Sequence, residues 1–330
     1  MSFNKVKFIH NPKSGLIRSP LLIRKVIEFT LSDAKFEFDF EETKYRGHAT
    51  EIATRACGQG YDAIVAVGGD GTANETASAL IHRDVAFGVI PIGSGNGLSR
   101  GVDIPLSIRK AARLLIDGTT RIIDAGKIEN RYFFIVAGVG FDALVGKLFD
   151  DQSIRGPLPY FTIGFREFLF YRPEVFVLKF NGKQIAVPAL LITIANTRQW
   201  GNGVIIAPKA EPDDGLLDIC ILHRVKFLYA AYHFPKLFSG KIEKVRKYER
   251  FQAREVKIIR EKPGPFHVDG EPQDAQTELS VTLVPRALKI IVPKRVSIQP
   301  PSRKATKEHK KSLSIFVSSS FRGRKITIPE

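Results

Sequence analysis

The residues whose types and spacing best suit chemistry form the segment Gly68–Thr72, which reads Gly-Gly-Asp-Gly-Thr and follows the apolar run Ile64–Val67. Glycine has no Cβ, so this backbone can approach a phosphate closely. A helix predicted to begin near Thr72 would point free N–H groups and the positive end of its dipole at that anion. Asp70 would repel a phosphate, and its expected function is to hold Mg²⁺ against nucleotide phosphates. The alternative is a tight turn that uses glycine for geometry alone. The five-residue run is much rarer than a lone glycine pair and favours the phosphate site.

Two further polar turns follow predicted strands. Residues 5–10 read as a strand that ends in Asn11–Gly15, and residues 85–90 read as a strand that ends in Pro91–Gly97. Taken alone, Asn11–Gly15 fits a plain loop equally well. Another strand is predicted at 36–40, and helices at 21–31, 48–57, 104–117 and from near Thr72 to about residue 81. Strands that alternate with helices form parallel units, whose ligands bind beyond the carboxyl ends of the strands. We therefore expect the three turns to meet at one edge of a parallel sheet.

The pattern changes near residue 123, where short strands separated by turn residues replace the alternation of strands and helices. Strands are predicted over 121–128, 132–136, 174–180, 185–195, 216–222, 255–259, 279–284 and 288–292, which indicates a mainly antiparallel β domain. The expected organisation is an α/β nucleotide domain over residues 1–123, a β domain over 124–293 and a basic disordered tail over 294–330.

Composition bounds the class of protein. With 330 residues, 44% hydrophobic and 25% charged, the chain is expected to form two globular domains. No apolar run approaches the ~20 residues that a membrane-spanning helix needs, and the N-terminus lacks the apolar core of a signal peptide. Cys57 and Cys220 lie far apart and have no zinc-site spacing. This cysteine usage favours a reducing compartment and predicts a cytoplasmic protein.

The net charge of +16 is concentrated at the C-terminus, where residues 294–330 contain ten Lys or Arg and two acidic residues. The rest of the chain is only mildly basic. The charge therefore indicates a basic tail on an ordinary domain, and no nucleic-acid partner is expected.

Several common nucleotide and hydrolase motifs are missing from the sequence. It contains no Walker A loop, no Gly-x-Gly-x-x-Gly fingerprint, no His-Glu-x-x-His and no Gly-x-Ser-x-Gly. The remaining class is a nucleotide enzyme whose phosphate loop carries a carboxylate.

Four segments in order carry a family resemblance: Asn11–Gly15, Gly68–Thr72, Pro91–Asn96 and Val268–Pro272, the last reading Val-Asp-Gly-Glu-Pro. Together they closely resemble the lipid kinases of the diacylglycerol kinase and sphingosine kinase superfamily, over residues 3–293. The resemblance implies an α/β nucleotide domain with a phosphofructokinase-like core, a C-terminal antiparallel β-sandwich and a lipid site between them. It also implies ATP-dependent phosphorylation of a lipid hydroxyl with Mg²⁺.

The resemblance further implies functions for individual residues. Glu271 would be the general base that takes the proton from the lipid hydroxyl, and Asp142 would lie near the lipid. A plain turn between strands is the alternative for 269–272, and a helix N-cap is the alternative for Asp142. The residues expected to contact ATP are Asn11, Thr43, Gly68, Gly69, Asp70, Gly71, Thr72, Asn74, Ser94 and Asn96, with Asp70 also tied to the catalytic Mg²⁺.

A second, structural Mg²⁺ is implied near residue 214. Its ligands would be the Asp214 carboxylate and the backbone carbonyls of Glu211 and Leu216, and a metal-free turn is the alternative. The third segment contains Ser94-Gly95-Asn96, which is closer to the sphingosine and ceramide kinase form than to the Gly-Thr-Gly/Ala-Asn-Asp usual in diacylglycerol kinases. Diacylglycerol and sphingoid-type lipids therefore both stay open as acceptors.

Two competing functions are weighed against the lipid kinase. An NAD kinase of the same core would share Gly-Gly-Asp-Gly-Thr, but it is not expected to carry the Asn11–Gly15 start or the Asp-Gly-Glu near the end. A lipid- or nucleotide-binding protein with an inactive site is the second. Asp70 and Glu271 are both present, and a decayed site tends to lose one of them.

A lipid substrate predicts peripheral contact with an anionic membrane surface. The aromatic stretch 156–172 could form an interfacial helix, although a buried helix is an equal alternative. The basic tail is the stronger candidate, with a solubilising tail as the alternative. A homodimer also stays open.

Overall fold

Helices and strands alternate through the first half of the chain, and strands dominate the second half. The structure, a computed structural model, describes residues 3–15, 19–150, 166–168, 171–274 and 277–294. Its helices are α1 (Pro20–Thr30), α2 (His48–Cys57), α3 (Asp70–Ala79), α4 (Gly97–Gly101), α5 (Ile108–Asp117), α6 (Phe141–Asp150), α7 (Phe227–His233) and α8 (Pro235–Phe238), with a 3-10 turn at Ile242–Lys244. Its strands are β1 (Lys5–His10), β2 (Glu37–Glu42), β3 (Ala63–Gly68), β4 (Ala86–Pro91), β5 (Thr119–Ile128), β6 (Arg131–Phe133), β7 (Val136–Gly140), β8 (Glu174–Phe180), β9 (Lys183–Ala195), β10 (Gln199–Gly201), β11 (Val204–Ile205), β12 (Leu217–His223), β13 (Tyr248–Ala253), β14 (Glu255–Arg260), β15 (Pro265–Val268), β16 (Glu271–Asp274) and β17 (Glu278–Val292).

Strands β1 to β4 form a parallel sheet in the order β4–β3–β1–β2. Every residue of β3 and β4 is buried, as expected for parallel strands covered on both faces. The register aligns His10 with Glu42 and with Val67, and Val67 with Ile90, so all four strands end at one edge. The α/β architecture of the N-terminal part is confirmed.

The second half pairs its strands antiparallel. β9 pairs with β7, β8 and β12, and β15 pairs with β7 and β16. Alternating side chains of these strands form a second hydrophobic core, in which Phe176, Ile192 and Ile219 are fully buried. The C-terminal antiparallel β-sandwich is confirmed.

The last strand, β17, belongs to both sheets. Two strands were predicted, at 279–284 and 288–292, but the structure has one strand, whose register shifts between Val284 and Leu288. Arg286 lies in this irregular stretch with φ of +50°. The first part pairs with β14, and Ile290 pairs in parallel with Phe87 of β4. The chain thus returns to the nucleotide domain, and the domain bounds drawn from sequence remain a prediction.

Two helix starts differ from the sequence-based prediction. The helix expected from residue 104 begins at Ile108, because Pro105 disfavours helical backbone at Ile104. The helix expected near Thr72 begins at Asp70. Asp70 and Gly71 therefore belong to the first helical turn.

The sequence predicts two segments that contact a membrane. Most of the aromatic stretch 156–172 lies outside the described residues, and so does the tail beyond residue 294. Among the residues that are described, no helix combines the length and apolar character needed to cross a bilayer.

Candidate active site

The carboxyl ends of β1, β3 and β4 bring the three polar turns together. Asn11 donates its side-chain amide to Thr72 Oγ1 over 3.0 Å, and its backbone N–H donates to the Val67 carbonyl. The Ile92 N–H donates to the Gly68 carbonyl over 3.0 Å. These bonds fasten the first and third turns to the second.

Close packing between the turns explains two of their glycines. A Cβ on Gly93 would lie 2.5 Å from the Cα of Gly69, and a Cβ on Gly15 would overlap the Ile92 carbonyl oxygen. Gly15 also has φ of +81°, which other residues adopt only with strain. These glycines are therefore required by packing, whether or not a phosphate binds.

Helix α3 begins where the turns meet. Gly69 is its N-cap residue, and the Gly69 carbonyl accepts the Ala73 N–H over 3.0 Å. The N–H groups of the first turn have no acceptor inside the helix. With the positive end of the helix dipole, they form an arrangement that can bind the phosphates of a nucleotide.

The Asp70 carboxylate lies between the second and third turns. Its Oδ1 accepts the Leu98 N–H over 3.3 Å, and a Cβ on Gly95 would lie 2.8 Å from its Oδ2. Burial raises the pKa of Asp70, and the N–H groups of Gly97, Leu98 and Asn96 oppose that rise. The structure thus places an acidic oxygen donor beside the phosphate loop.

The other predicted nucleotide contacts lie around the same sheet edge. Asn96 is buried with φ of +49° and donates to the Gly93 carbonyl over 2.7 Å. Its Oδ1 is buried and has no hydrogen-bond partner within the described part of the chain. Ser94 is exposed, and Thr43 follows β2, where its N–H donates to the His10 carbonyl.

Glu271 reaches this edge from the C-terminal half. A Cβ on Gly71 would lie 2.6 Å from Glu271 Oε1, so the carboxylate lies directly against the phosphate loop. Its Oε2 accepts a hydrogen bond of 2.6 Å from the Arg46 guanidinium. The fourth segment of the sequence therefore joins the other three in space.

Asp269 holds the two halves together. Its buried carboxylate accepts the N–H groups of Phe134, Ile135 and Val136 at 2.9 to 3.0 Å, and the Asn74 amide at 2.7 Å. Burial raises the pKa of Asp269 to about 6, against the opposing effect of these four donors. Asp269 thus links α3 to the start of β7.

The Asn74 side chain is turned toward this link. Its amide donates to Asp269 and to the Tyr132 carbonyl at 2.9 Å. The sequence predicts that Asn74 contacts the nucleotide, whereas in the structure its amide nitrogen already donates to Asp269 and Tyr132.

Asp142 is the second residue of α6 and forms a buried pair with His267. The Asp142 Oδ2 and His267 Nε2 atoms are 2.9 Å apart, and Asp142 Oδ1 accepts the Ala143 N–H. A Cβ on Gly138 would lie 2.5 Å from both members of the pair. The glycine makes room for a polar pair between α6 and β15.

Glu211, Asp214 and Leu216 lie in the turn before β12. Asp214 Oδ1 accepts the Leu216 N–H over 3.0 Å, and the Glu211 carboxylate faces Arg121 at 3.4 Å. Burial raises the pKa of Asp214, and the nearby Asp124 raises it further. In the described ranges, no three His, Cys, Asp or Glu side chains are grouped so that they could hold a metal ion. The second Mg²⁺ site stays a prediction.

Sequence reasoning missed four residues that shape the site. Arg46 contacts Glu271, and Glu75 accepts the N–H groups of Gly47 and Ala49, which fixes the start of α2 beside Arg46. The other two are Asp269 and His267. Asp269 lies inside the segment Val268–Pro272 that the sequence singles out, and His267 directly precedes it, so their position was a usable signal. Arg46 and Glu75 had none.

Comparison with known proteins decides the family. The model for the diacylglycerol kinase catalytic domain matches residues 5–128, and the YegS C-terminal NAD kinase beta sandwich-like domain matches residues 135–292. A diacylglycerol kinase of Mycobacterium tuberculosis is 32% identical over 265 residues, which cover 74% of this chain and 82% of the relative. A diacylglycerol kinase of Bacillus subtilis is 31% identical over 227 residues, 67% of this chain and 74% of the relative. The chain belongs to the diacylglycerol kinase family.

A solved structure agrees on the fold. A diacylglycerol kinase from Bacillus anthracis superposes with a TM-score of 0.70 at 22% identity, covering 90% of this chain and 99% of the other. Membership of the diacylglycerol kinase family makes the chain a lipid kinase, a phosphotransferase that uses ATP. These comparisons fit a lipid kinase better than they fit an NAD kinase or an inactive binding protein.

Proposed function

We propose that this lipid kinase transfers the γ-phosphate of ATP to the hydroxyl of a diacylglycerol-type lipid at the edge where its four segments meet. One observation carries the proposal: the Glu271 carboxylate lies against Gly71 of the phosphate loop. A carboxylate beside the phosphate loop is where a base must lie if it is to take the proton of an attacking hydroxyl.

The nucleotide phosphates are proposed to bind at the first turn of α3. The N–H groups of Gly71 and Thr72 would donate to them, and the helix dipole favours their charge. Asn11, Thr43 and Ser94 lie at the ends of neighbouring strands or turns, where they could contact the rest of the nucleotide.

The oxygen donors present fit a Mg²⁺ ion. Asp70 supplies a carboxylate, and Asn96 supplies a buried carbonyl oxygen that lacks a partner within the described residues. Hard oxygen donors of this kind, completed by phosphate oxygens, are what Mg²⁺ prefers. When bound, the ion would neutralise charge on the phosphoryl group.

The lipid hydroxyl is proposed to approach from the C-terminal half. Glu271 would accept its proton, and Arg46, already paired with Glu271, would orient the carboxylate. Asp142 would lie on the lipid side, held by His267. Positioning and charge neutralisation, rather than covalent chemistry, would supply most of the acceleration.

Diacylglycerol is proposed as the acceptor because the relatives at 31% to 32% identity carry that name. Ser94-Gly95-Asn96 keeps a sphingoid-type lipid as the second candidate. The test is transfer of ³²P from [γ-³²P]ATP to diacylglycerol, sphingosine, ceramide and phosphatidylglycerol in mixed micelles, with Glu271→Gln as control. A parallel reaction contains NAD in place of lipid. Label on diacylglycerol supports the proposal, whereas label on NAD alone, or on no acceptor, would refute it.

The proposal includes peripheral binding to anionic membranes through the basic tail, and a cytoplasmic location. Both a monomer and a homodimer are compatible with it. Each basic residue near an anionic surface contributes about 1 kcal/mol, screened by salt. Deleting residues 297–330 should lower binding to anionic vesicles while leaving activity in detergent micelles unchanged. Equal sedimentation of both forms at low salt would contradict it.

A further inference from the structure

Helices α7 and α8 are joined by Phe234, whose backbone is itself helical, and no residue of this α7–α8 segment (residues 227–238) is buried. Leu228 and Tyr232 are 80% and 78% exposed, and their i, i+4 spacing places them on one face of α7. Phe234 and Phe238 are also exposed, and their rings contact each other at 5.3 Å. Clustered large apolar side chains at a surface mark a site of interaction.

The residues around this α7–α8 segment are strongly basic. Between residues 224 and 247 the single acidic residue is Glu243, and Lys209 lies 2.8 Å from its carboxylate. The basic residues of the same stretch are Arg224, Lys226, Lys236, Lys241, Lys244, Arg246 and Lys247, of which all but Lys236 are exposed.

We propose that the α7–α8 segment is a docking surface for an anionic lipid bilayer. Tyr and Phe rings favour the interface between water and acyl chains, and cations around them attract anionic headgroups. A protein partner would typically meet fewer lysines, since interfaces between proteins are depleted of them. The proposal rests on the proposed function in one respect: the bilayer would supply the lipid that the enzyme phosphorylates.

Aromatic contacts connect this surface to the lipid side of the candidate active site. The Phe227 ring lies 6.3 Å from Phe168, and Phe168 lies 5.7 Å from Phe141, the residue before Asp142. On its other side, the Phe238 ring lies 3.9 Å from where a Cβ on Gly203 would be. A bilayer docked on the α7–α8 segment would therefore adjoin the residues proposed to meet the lipid.

A second set of contacts connects the α7–α8 segment to the nucleotide side of the candidate active site. Gly203 lies between β10 and β11, and the adjacent Asn202 N–H donates to the Gly95 carbonyl over 3.2 Å. Gly95 is in the third turn of the site. The docking surface is thus continuous with both halves of the candidate active site.

The test compares vesicle binding of the full chain with that of two variants of the α7–α8 segment. One is Leu228→Ser with Tyr232→Ser, and the other is Lys241→Glu with Lys244→Glu. The matched control is Leu21→Ser with Phe29→Ser on α1, whose side chains are 72% and 75% exposed. Binding is measured by sedimentation with phosphatidylcholine vesicles, with and without phosphatidylglycerol, and activity is measured in detergent micelles.

We expect the apolar variant to lose at least tenfold in binding to anionic vesicles, because two large interfacial side chains are removed. The charge variant should bind anionic vesicles more weakly and with a smaller salt dependence, and the α1 control should bind as wild type. Micellar activity should be kept in all of them.

Unchanged vesicle binding in both α7–α8 variants would overturn the proposal, and so would an equal loss of vesicle binding in the α1 control. A change of oligomeric state without a change in vesicle binding would instead identify an interface between copies of the chain and would also overturn it. Failure of the proposed function is distinguishable, since wild-type protein would then bind vesicles but phosphorylate no lipid.

Discussion

Gly71→Ala should separate catalysis from stability at the contact between the two halves of the site. The new Cβ would lie 2.6 Å from Glu271 Oε1, so the carboxylate must retreat by roughly 0.8 Å to reach an ordinary contact of 3.4 Å. Gly71 is not among the glycines with positive φ, so alanine causes no backbone strain. In a helix, alanine is preferred over glycine by about 1 kcal/mol.

A displacement of this size predicts a loss of about 10²-fold in kcat, since a misplacement near 1 Å has that effect on positioned groups. The affinity for ATP should change little, because the Cβ faces Glu271. Rates are measured at saturating ATP in mixed micelles, and ATP binding by isothermal titration calorimetry. The control is Gly58→Ala at the end of α2, where the Cβ would lie 3.5 Å from the Arg55 carbonyl oxygen.

Two results would refute this reasoning. One is wild-type kcat in Gly71→Ala, which would mean that Glu271 is not positioned against Gly71 during catalysis. The other is an equal loss when Gly71→Ala is added to Glu271→Gln, because two changes that act through one carboxylate should not be additive.

Three further predictions concern the carboxylates. Glu271→Gln should lower kcat by about 10²–10⁴-fold with ATP binding retained, because the amide cannot accept a proton; near-normal kcat in the folded variant would exclude the base. Asp70→Asn should raise the Mg²⁺ concentration needed for half-maximal activity, and an unchanged Mg²⁺ titration would contradict its metal function. Asp269 has its pKa raised to about 6 in the folded state, so its contribution to stability is complete below its unfolded pKa of about 3.9 and is lost as pH rises through 6. The free energy of unfolding in urea should therefore favour wild type over Asp269→Asn by about 2 kcal/mol more at pH 4.5 than at pH 7.5, and a constant difference would contradict it.

The turns of the nucleotide domain could be predicted from sequence because they depend on local rules. Apolar runs followed by glycine and polar residues predict strands and turns, and parallel strands bring their carboxyl ends to one edge. The register of β1 with β3 and of β3 with β4 follows that expectation. The family resemblance added Glu271, which periodicity alone could not have distinguished from a turn residue.

The contacts between the two halves could not be predicted in the same way. Arg46 and Glu271 are 225 residues apart in sequence, and Asn74 and Asp269 are 195 apart. Nothing local to Arg46 indicates its partner. Similarly, the exposure of Leu228 and Tyr232 depends on the tertiary fold and could not be read from the local sequence.

The Asp-Gly-Glu segment shows how a plain turn and a catalytic function coexist. Val268 pairs with Glu271 across a two-residue hairpin, with φ of +48° at Asp269 and +86° at Gly270. Positive φ at both positions is typical of the type I′ turn, for which Asp-Gly is a preferred sequence. Asp269 is held by three N–H groups before β7 and by Asn74 of α3, so the turn is fixed to both halves. Glu271 follows this anchored turn directly, and its position beside Gly71 is therefore a consequence of the same bonds that join the domains.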